Sequence, residues 1–176
     1  MSEGVVCDRT SVGIIARDVL GRILLVERKK FPFGWAPPSG HCDGHSYPVA
    51  CFKRFEEETG LRVVGAPKPL IPKNPRKYFK CQRGGQYHDW QIFNVNWRGS
   101  LIPDVTEING VSWYTIDDIK HLAKKTLEYL RKMKLAESGE EQSWVKGIQD
   151  SIEDGWLADP GLEPVWCEFF QELKIT

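Results

Sequence analysis

Two apolar segments near the N-terminus, separated by turn residues, predict the first strands of a sheet. Residues 11–17 and 22–28 are rich in β-branched and aliphatic side chains, and the connection between them contains Asp18 and Gly21. Such runs favour strands, and Asp and Gly are typical of tight turns. We therefore predict that the two segments pair as a β-hairpin.

A loop and a helix follow these strands. Proline and glycine interrupt residues 31–44, which predicts irregular structure. The pattern becomes helical over residues 47–59. Ser46 suits the N-cap of this helix, Pro48 suits its first turn, and Gly60 suits the residue just past its end.

The rest of the chain continues to alternate between strands and helices. Residues 61–64 predict a short strand, and the proline- and lysine-rich segment 67–77 predicts an exposed loop. Further strands are predicted over residues 87–98 and 110–114. Helices are predicted over residues 116–134, 144–152 and 164–173. This order predicts an α/β fold with a mixed sheet and helices packed on it.

Length and charge narrow the picture. The 176 residues, 41% of them hydrophobic, suffice for one sizeable core. We therefore expect a single domain over residues 1–176, with its core at about 10–135 and a helical extension at about 136–176. The 24 Lys and Arg balance 24 Asp and Glu, which removes the usual electrostatic signature of a nucleic-acid binder. An anionic ligand must then be held locally.

The cysteines and the N-terminus bear on the compartment. The chain has five cysteines, at positions 7, 42, 51, 81 and 167. An odd number without a C-x-x-C pair favours reduced thiols over a disulfide framework or a zinc ribbon. No basic segment followed by an apolar run opens the chain, and no stretch of about 18 apolar residues occurs. We expect a cytoplasmic protein with no membrane partner.

A longer motif spans the predicted loop and helix. The run G-W-A-P-P-S-G-H-C-D-G-H-S over residues 34–46, then Ala50, then E-E-E-T-G-L over residues 56–61, resembles the Nudix box, G-x5-E-x7-R-E-U-x-E-E-x-G-U, where U is a bulky aliphatic residue. The E-E-x-G-U end matches in full from Glu57, and Phe55 supplies the internal apolar residue. The resemblance implies a Nudix-like α/β/α sandwich with a mixed sheet, plus C-terminal helices.

Four positions depart from the pattern of the box. Lys53 stands where the family has Arg, and Arg54 where it has a Glu. His45 stands in place of the first Glu and Ser39 in place of the first Gly, which Gly40 recovers only with a shift of one residue. The family pairs the Glu and Arg at positions 45 and 53, and a neutral His beside Lys cannot restore that ion pair. Because both partners are replaced, no orphaned charge remains and the fold can survive.

The resemblance implies a metal-dependent hydrolase that cleaves a nucleoside diphosphate linked to another moiety. Divalent ions neutralise a pyrophosphate and orient the attacking water, and magnesium prefers oxygen ligands. Mg2+ or Mn2+ is thus the expected cofactor, with Glu57 and Glu58 as its ligands. Glu107, before the strand that contains Trp113, is a further candidate catalytic carboxylate. The expected partner is a small nucleoside diphosphate derivative and not a nucleic-acid polymer, and a homodimer stays open.

Arg54 modifies this expectation. Residues three and four apart share a helix face, so Arg54 can pair with Glu57 and Glu58, as on an ordinary solvated helix. If the protein is active, its hydrolysis should be slower or more metal-demanding than with three helix carboxylates. Two other classes remain open: a non-catalytic Nudix-fold nucleotide-binding or sensor domain that has lost its metal site, and a structural or interaction module. The interaction module is favoured by tryptophans near the C-terminus: Trp144, Trp156 and Trp166.

Several other residues are candidates for ligand contacts. The substrate-binding candidates are Gly40, His41, Arg54, His88 and Trp90. His88 also suits a sheet edge or the rim of a pocket, and Trp90 suits the core. The loop over residues 41–45 offers two imidazoles, a thiol and a carboxylate. We interpret it as a polar loop, because the sequence shows no second Cys/His cluster to complete a tetrahedral shell.

Overall fold

The computed structural model describes residues 6–30, 33–79, 81–132 and 154–176. The strands in these residues are β1 Thr10–Ala16, β2 Ile23–Arg28, β3 Gly34–Ala36, β4 Ser39–His41, β5 Arg62–Pro69, β6 Arg76–Lys77, β7 His88–Arg98 and β8 Ile108–Tyr114. The helices are α1 Tyr47–Thr59, α2 Ile116–Lys132, α3 Asp154–Ala158 and α4 Pro164–Glu172. The helix predicted over residues 144–152 lies outside the described residues. None of the helices described has the length and apolar character needed to span a bilayer.

The strands form two sheets. The larger is mixed, in the order β4-β1-β7-β5, with β6 also pairing with β7. Within it β1 and β7 run parallel, with Thr10 opposite Asp89, while the other pairs are antiparallel. The smaller sheet is antiparallel, in the order β3-β2-β8. The mixed sheet with packed helices confirms the predicted α/β class.

The predicted hairpin of β1 and β2 is wrong. The two strands lie in different sheets and meet at a bridge between Arg17 and Ile23. Both are buried along nearly their whole length, so each needs a partner on both edges, which a two-stranded hairpin cannot supply. The turn itself forms as predicted, since the Asp18 carboxylate accepts hydrogen bonds from the backbone N–H groups of Leu20 and Arg22, both at 2.9 Å.

The predicted bounds of α1 are confirmed. Ser46 precedes the helix in an extended conformation, although its side chain makes no capping hydrogen bond, and Pro48 lies in the first turn. Gly60 ends it in the left-handed region, at φ 74°, where its N–H donates to the carbonyl of Glu56. Glycine adopts this conformation without the strain that a Cβ would add, so local chemistry alone sets this end of the helix.

The segment 67–77 is only partly the loop that was predicted. β5 continues to Pro69, and β6 forms at Arg76 and Lys77. Both strands pair with the same side of β7, and a bulge separates the pairing at Val64 from that at Lys68. Proline is tolerated at such an edge because its missing N–H is not needed for the ladder.

The core fills both faces of the mixed sheet. On one face, Ala50, Cys51 and Phe55 of α1 pack against β1 and β7. On the other, Trp166 and Phe169 of α4 pack against β1 and β7 together with residues of α2. The C-terminal segment therefore completes the core.

Trp166 explains one glycine and weakens one hypothesis. A Cβ on Gly13 would lie 2.5 Å from the Trp166 ring, so the strand can pass under the indole only with glycine there. Trp156 and Trp166 are 3% and 0% exposed, which removes them as an interaction surface, and Trp144 lies outside the described residues. These tryptophans therefore do not support an interaction module.

Replacing Trp166 by alanine should destabilise the whole protein. The change removes a fully buried indole from the centre of the core, for which the expected loss in free energy of unfolding is about 3–5 kcal/mol. Urea denaturation followed by tryptophan fluorescence and circular dichroism measures it. Leu157→Ala is the control, because Leu157 is 44% exposed and its loss should cost less than about 1 kcal/mol. Equal effects of the two changes would contradict the described role of α4.

Candidate active-site cleft

A cleft of about 340 Å3 opens beside β2, β4 and α1. Its volume lies in the range of small-molecule sites. The cations in its lining are Arg28, Lys30, Arg54 and Arg83, and the carboxylates are Glu58, Glu107 and Glu163. The substrate-binding candidates from the sequence also line it: Gly40, His41, Arg54, His88 and Trp90. Residues far apart in the sequence thus converge on one concave surface.

Glu58 is the buried carboxylate at the C-terminal end of α1. Only 7% of the residue is exposed, and its Oε2 accepts a hydrogen bond from the backbone N–H of Ser39 at 3.1 Å. Burial raises the pKa of Glu58 to about 7, against the opposing effect of the Arg28 guanidinium and the Ser39 N–H. The carboxyl can therefore gain or lose a proton near neutral pH.

Arg54 ties α1 to the loop over residues 41–45. Its Nη1 donates to Glu57 Oε2 at 3.0 Å, its Nη2 pairs with Asp43, and its Nε donates to the His41 carbonyl at 3.0 Å. A Cβ on Gly40 would lie 2.9 Å from the Arg54 side chain, so glycine lets the arginine cross β4. The predicted pairing of Arg54 with Glu57 is present.

Glu57 and Glu58 differ in their surroundings. The Glu57 side chain is 48% exposed, ion-paired with Arg54, and outside the residues that line the cleft. Of the two expected metal ligands, Glu58 therefore lines the cleft and Glu57 does not. The reason is that neighbouring residues on a helix are about 100° apart, and Arg54 draws Glu57 towards its own side.

A hydrogen bond joins His45 and Lys53, the two positions at which the resemblance to the Nudix box implies an ion pair. Lys53 Nζ donates to His45 Nε2 at 3.0 Å on the protein surface. A hydrogen bond to a neutral imidazole is weaker than one to a carboxylate, so this contact holds the loop less firmly.

The other cleft carboxylates are held by cations. Lys30 Nζ lies 2.9 Å from Glu107 Oε1, on a partly exposed pair. Glu163 is buried, and its Oε2 lies 3.8 Å from Arg28 Nε. Burial raises the pKa of Glu163 to about 7. Sequence analysis missed this residue, because its approach depends on a backbone pairing of the C-terminal segment with Trp35 that no local pattern announces.

Cysteine and histidine side chains meet at one wall of the cleft. The donor atoms of Cys7, His41, Cys81 and His88 all lie within 4.8 Å of one another. The interpretation that no second Cys/His cluster accompanies the loop is therefore wrong, although Cys42 and His45 take no part. His88 is fully buried at the start of β7 and is not a rim residue. Burial lowers its pKa to about 4, so the imidazole is neutral at physiological pH.

The carboxylate set only partly suits magnesium. Magnesium is commonly bound by one or two carboxylates, with waters and phosphate oxygens completing its shell. Glu58 in the cleft and Glu57 beside it can supply two oxygen ligands. Arg54, however, occupies the position of a third helix carboxylate and already pairs with Glu57. The residues thus fit one weakly held ion better than a closed three-carboxylate cup.

Comparisons with known proteins agree with the fold. A family model described as "NUDIX domain" matches residues 8–134. The fold is similar to that of a MutT NUDIX hydrolase from Burkholderia pseudomallei, at 21% identity and a TM-score of 0.53, covering 62% of this chain and 84% of that chain. It is also similar to a NUDIX hydrolase from Nitrosomonas europaea, at 22% identity and a TM-score of 0.50. That match covers 64% of this chain and 76% of that chain. No curated protein sequence matches the chain.

Glu163→Gln should reduce the pH dependence of stability. The pKa of Glu163 rises from 4.5 in the unfolded chain to about 7 in the folded protein. Between these values the folded protein keeps a proton that the unfolded chain has released, so stability falls as pH rises through this window. Glutamine stays neutral and should remove about 1–3 kcal/mol of that fall, while Glu58 keeps its own share.

Urea denaturation from about pH 5 to pH 8 measures this effect. Glu128→Gln is the control, because the Glu128 side chain is 60% exposed on α2. In this control variant, the free energy of unfolding should change with pH as it does in wild type. If Glu163→Gln has the same slope as wild type, Glu163 does not carry the proton.

Proposed function

Because this chain belongs to the NUDIX domain family, we propose that its cleft binds a nucleoside diphosphate linked to another moiety and hydrolyses it slowly, in a reaction that depends on Mg2+ or Mn2+. The observation that carries this proposal is the buried Glu58 carboxylate within a cleft lined by four cations. The carboxylate supplies a metal ligand, and the cations supply contacts for phosphate oxygens. The family supports hydrolysis as the type of reaction.

The cations of the cleft suit a diphosphate. Arg28 and Arg54 present guanidinium groups, which match phosphate oxygens in geometry and charge. Lys30 and Arg83 add positive charge at the same cleft, where they pair with Glu107 and Asp43. Since the chain has no net charge, this local concentration supports a small anionic ligand over a nucleic-acid polymer.

Glu58 and Glu57 would hold the metal ion. When bound, the ion would neutralise charge on the pyrophosphate and orient the attacking water. Glu58 must be ionised to act as a ligand, and the nearby Arg28 favours that form. Glu107, at the cleft edge and held by Lys30, is the candidate for accepting a proton from water. Arg54 opposes metal binding by pairing with Glu57, which is why we expect a slow reaction.

A binding or sensor domain without turnover is the second candidate function. The observation in its favour is the set of Arg54 contacts to Glu57, Asp43 and the His41 carbonyl. These contacts satisfy most of the guanidinium, so the metal must compete with it for Glu57. A panel of nucleotides and nucleotide sugars, assayed for binding and for hydrolysis with magnesium or manganese, separates the two functions. Binding without turnover would favour the sensor.

Arg54→Glu should increase metal affinity and raise or create pyrophosphatase activity. The change frees Glu57 and adds a carboxylate on the same helix face, which shifts the local charge by two units towards the preference of the metal. Solvent and salt weaken such interactions, so we expect the affinity for magnesium to rise by about tenfold and not more. Titration calorimetry with magnesium and a phosphate-release assay measure the two effects.

The matched control for this change is Arg54→Gln. It removes the cation without adding a ligand and should give an intermediate affinity. If wild type already binds magnesium tightly and turns over quickly, and Arg54→Glu alters neither, then position 54 lies outside the metal shell and the assignment is wrong.

Glu58→Gln should abolish metal-dependent hydrolysis while preserving the fold. Glutamine keeps the shape of the side chain and its contact with the Ser39 N–H, but removes the charge that a divalent ion needs. We expect a loss of at least about tenfold in magnesium affinity. Glu56→Gln serves as the control, because Glu56 pairs with Arg62 on the surface outside the cleft. Equal activity of wild type and Glu58→Gln would exclude Glu58 as a ligand.

A further inference from the structure

Four side chains from separate segments direct their donor atoms to one point. Cys7 precedes β1, His41 ends β4, Cys81 lies between β6 and β7, and His88 begins β7. All four donor atoms lie within 4.8 Å of one another. Cys7 and His88 are buried, and the other two side chains are at most partly exposed. Two thiols and two imidazoles are a common ligand set for a structural zinc ion.

Four of the six distances between the donor atoms are close to those of a tetrahedral shell. His41 Nε2 lies 3.0 Å from His88 Nε2, 3.3 Å from Cys81 Sγ and 3.5 Å from Cys7 Sγ, while Cys7 Sγ lies 3.1 Å from His88 Nε2. With Zn–S near 2.3 Å and Zn–N near 2.0–2.1 Å, a tetrahedron separates its ligand atoms by roughly 3.3–3.8 Å. Four of the six separations therefore lie within about 0.5 Å of this range, and the other two do not exceed 4.8 Å, so a modest rearrangement of the side chains would place zinc at the centre.

The two cysteines sit in equivalent local settings. The backbone N–H of Arg9 donates to Cys7 Sγ at 3.3 Å, and that of Arg83 donates to Cys81 Sγ at 3.3 Å. In both cases the donor lies two residues after the cysteine. Such hydrogen bonds stabilise a thiolate, which is the form that binds metal.

Gly85 allows the two cysteine segments to approach. A Cβ at this position would lie 2.5 Å from Cys7 Sγ and 3.4 Å from Cys81 Cβ. The Cys7 N–H donates to the Arg83 carbonyl at 3.2 Å, and the Cys81 N–H donates to the Gly85 carbonyl at 2.8 Å. The backbone thus holds both sulfur atoms against the histidines.

The surroundings of His88 direct its ring towards the cluster. The His88 ring stacks on Phe79, with centroids 4.5 Å apart and planes at 15°. Its Nδ1 is buried without a hydrogen-bond partner among the described residues, so its polar contacts all run through Nε2 towards the cluster. A pair of hydrogen-bonded histidines alone would not require two sulfur atoms at the same point.

We propose that Cys7, His41, Cys81 and His88 bind one zinc ion in a closed tetrahedral site that fastens β1, β4 and β7 to the loop over residues 81–85. Four protein ligands leave no open position, which assigns the ion a structural role and not a catalytic one. Two thiolates balance the charge of the ion. The site is distinct in chemistry from the carboxylates Glu57 and Glu58.

Metal analysis of the natural chain tests the site. Protein purified under reducing conditions, without a metal-affinity step or a chelator, should contain one zinc per chain by inductively coupled plasma mass spectrometry. After removal of zinc, one equivalent of Co2+ should give the visible spectrum of tetrahedral cobalt with thiolate ligands. Zinc should then displace the cobalt. This measurement needs no variant, so it does not depend on the folding of a mutant.

Variants assign the ligands. Cys81→Ser and Cys7→Ser should each lose the zinc and the cobalt spectrum, whereas Cys42→Ala should keep both, because Cys42 is a buried thiol next to His41 but outside the cluster. Glu58→Gln should also keep the zinc, which separates this site from the proposed active site. A wild-type chain that takes up neither metal stoichiometrically would overturn the proposal. So would zinc that persists in Cys81→Ser, or a Cys7–Cys81 disulfide in protein that contains no metal.

Discussion

The parallel pairing of β1 with β7 determines where the polar chemistry of this protein collects. With Thr10 opposite Asp89, the two strands begin at the same end of the sheet, and the Asp89 N–H donates to the Arg9 carbonyl just before the ladder starts. The antiparallel β4 brings His41 opposite Ser11 at that end. A slip of one residue would turn the buried rows of both strands to the wrong faces, so core packing fixes this register. The cluster and the cleft both follow from it.

Arg28 partly offsets the charge of the two buried carboxylates in the cleft. Arg28 lies near both buried carboxylates and favours the ionised form of Glu58 and Glu163, while burial opposes it more strongly. Arg28 Nε and Glu163 Oε2 both lack hydrogen-bond partners among the described residues. Buried polar atoms in this condition are costly in a closed core, but in a ligand cleft they are groups that a polar ligand can satisfy. The cleft thus offers a polar ligand both a donor and an acceptor that the described residues leave unpaired.

Local sequence signals predicted the main helices and the longer strands, but not β3, β4 and β6, which lie in segments predicted to be loops. Long-range contacts decide those strands and all of the strand pairing. The bounds of α1 agree with Pro48 in its first turn and Gly60 just past its end, which act within one turn of the helix. The pairing of β1 depends on β7, about 80 residues later, so the apparent hairpin could not reveal it. The same holds for the site. The box identified Glu58 and Arg54, whereas Glu163 enters the cleft only because the C-terminal segment pairs with Trp35. The spacing of Cys7, His41, Cys81 and His88 follows no known short motif.

The cluster also accounts for how the altered box keeps its shape. The family resemblance implies that a Glu–Arg ion pair fastens the loop to α1 at positions 45 and 53, and here a surface hydrogen bond between His45 and Lys53 replaces it. Two other ties hold the same loop. Arg54 reaches Asp43 and the His41 carbonyl from the helix, and the His41 side chain joins the cysteines from the sheet. His41 takes part in both sets of contacts. A zinc ion bound by its side chain would therefore also restrict the position of the Arg54 guanidinium, which donates to the His41 carbonyl. The contacts of His41 with the sheet thus replace the ion pair that the resemblance implies between positions 45 and 53. For this reason the fold tolerates His45 in place of the first glutamate of the box.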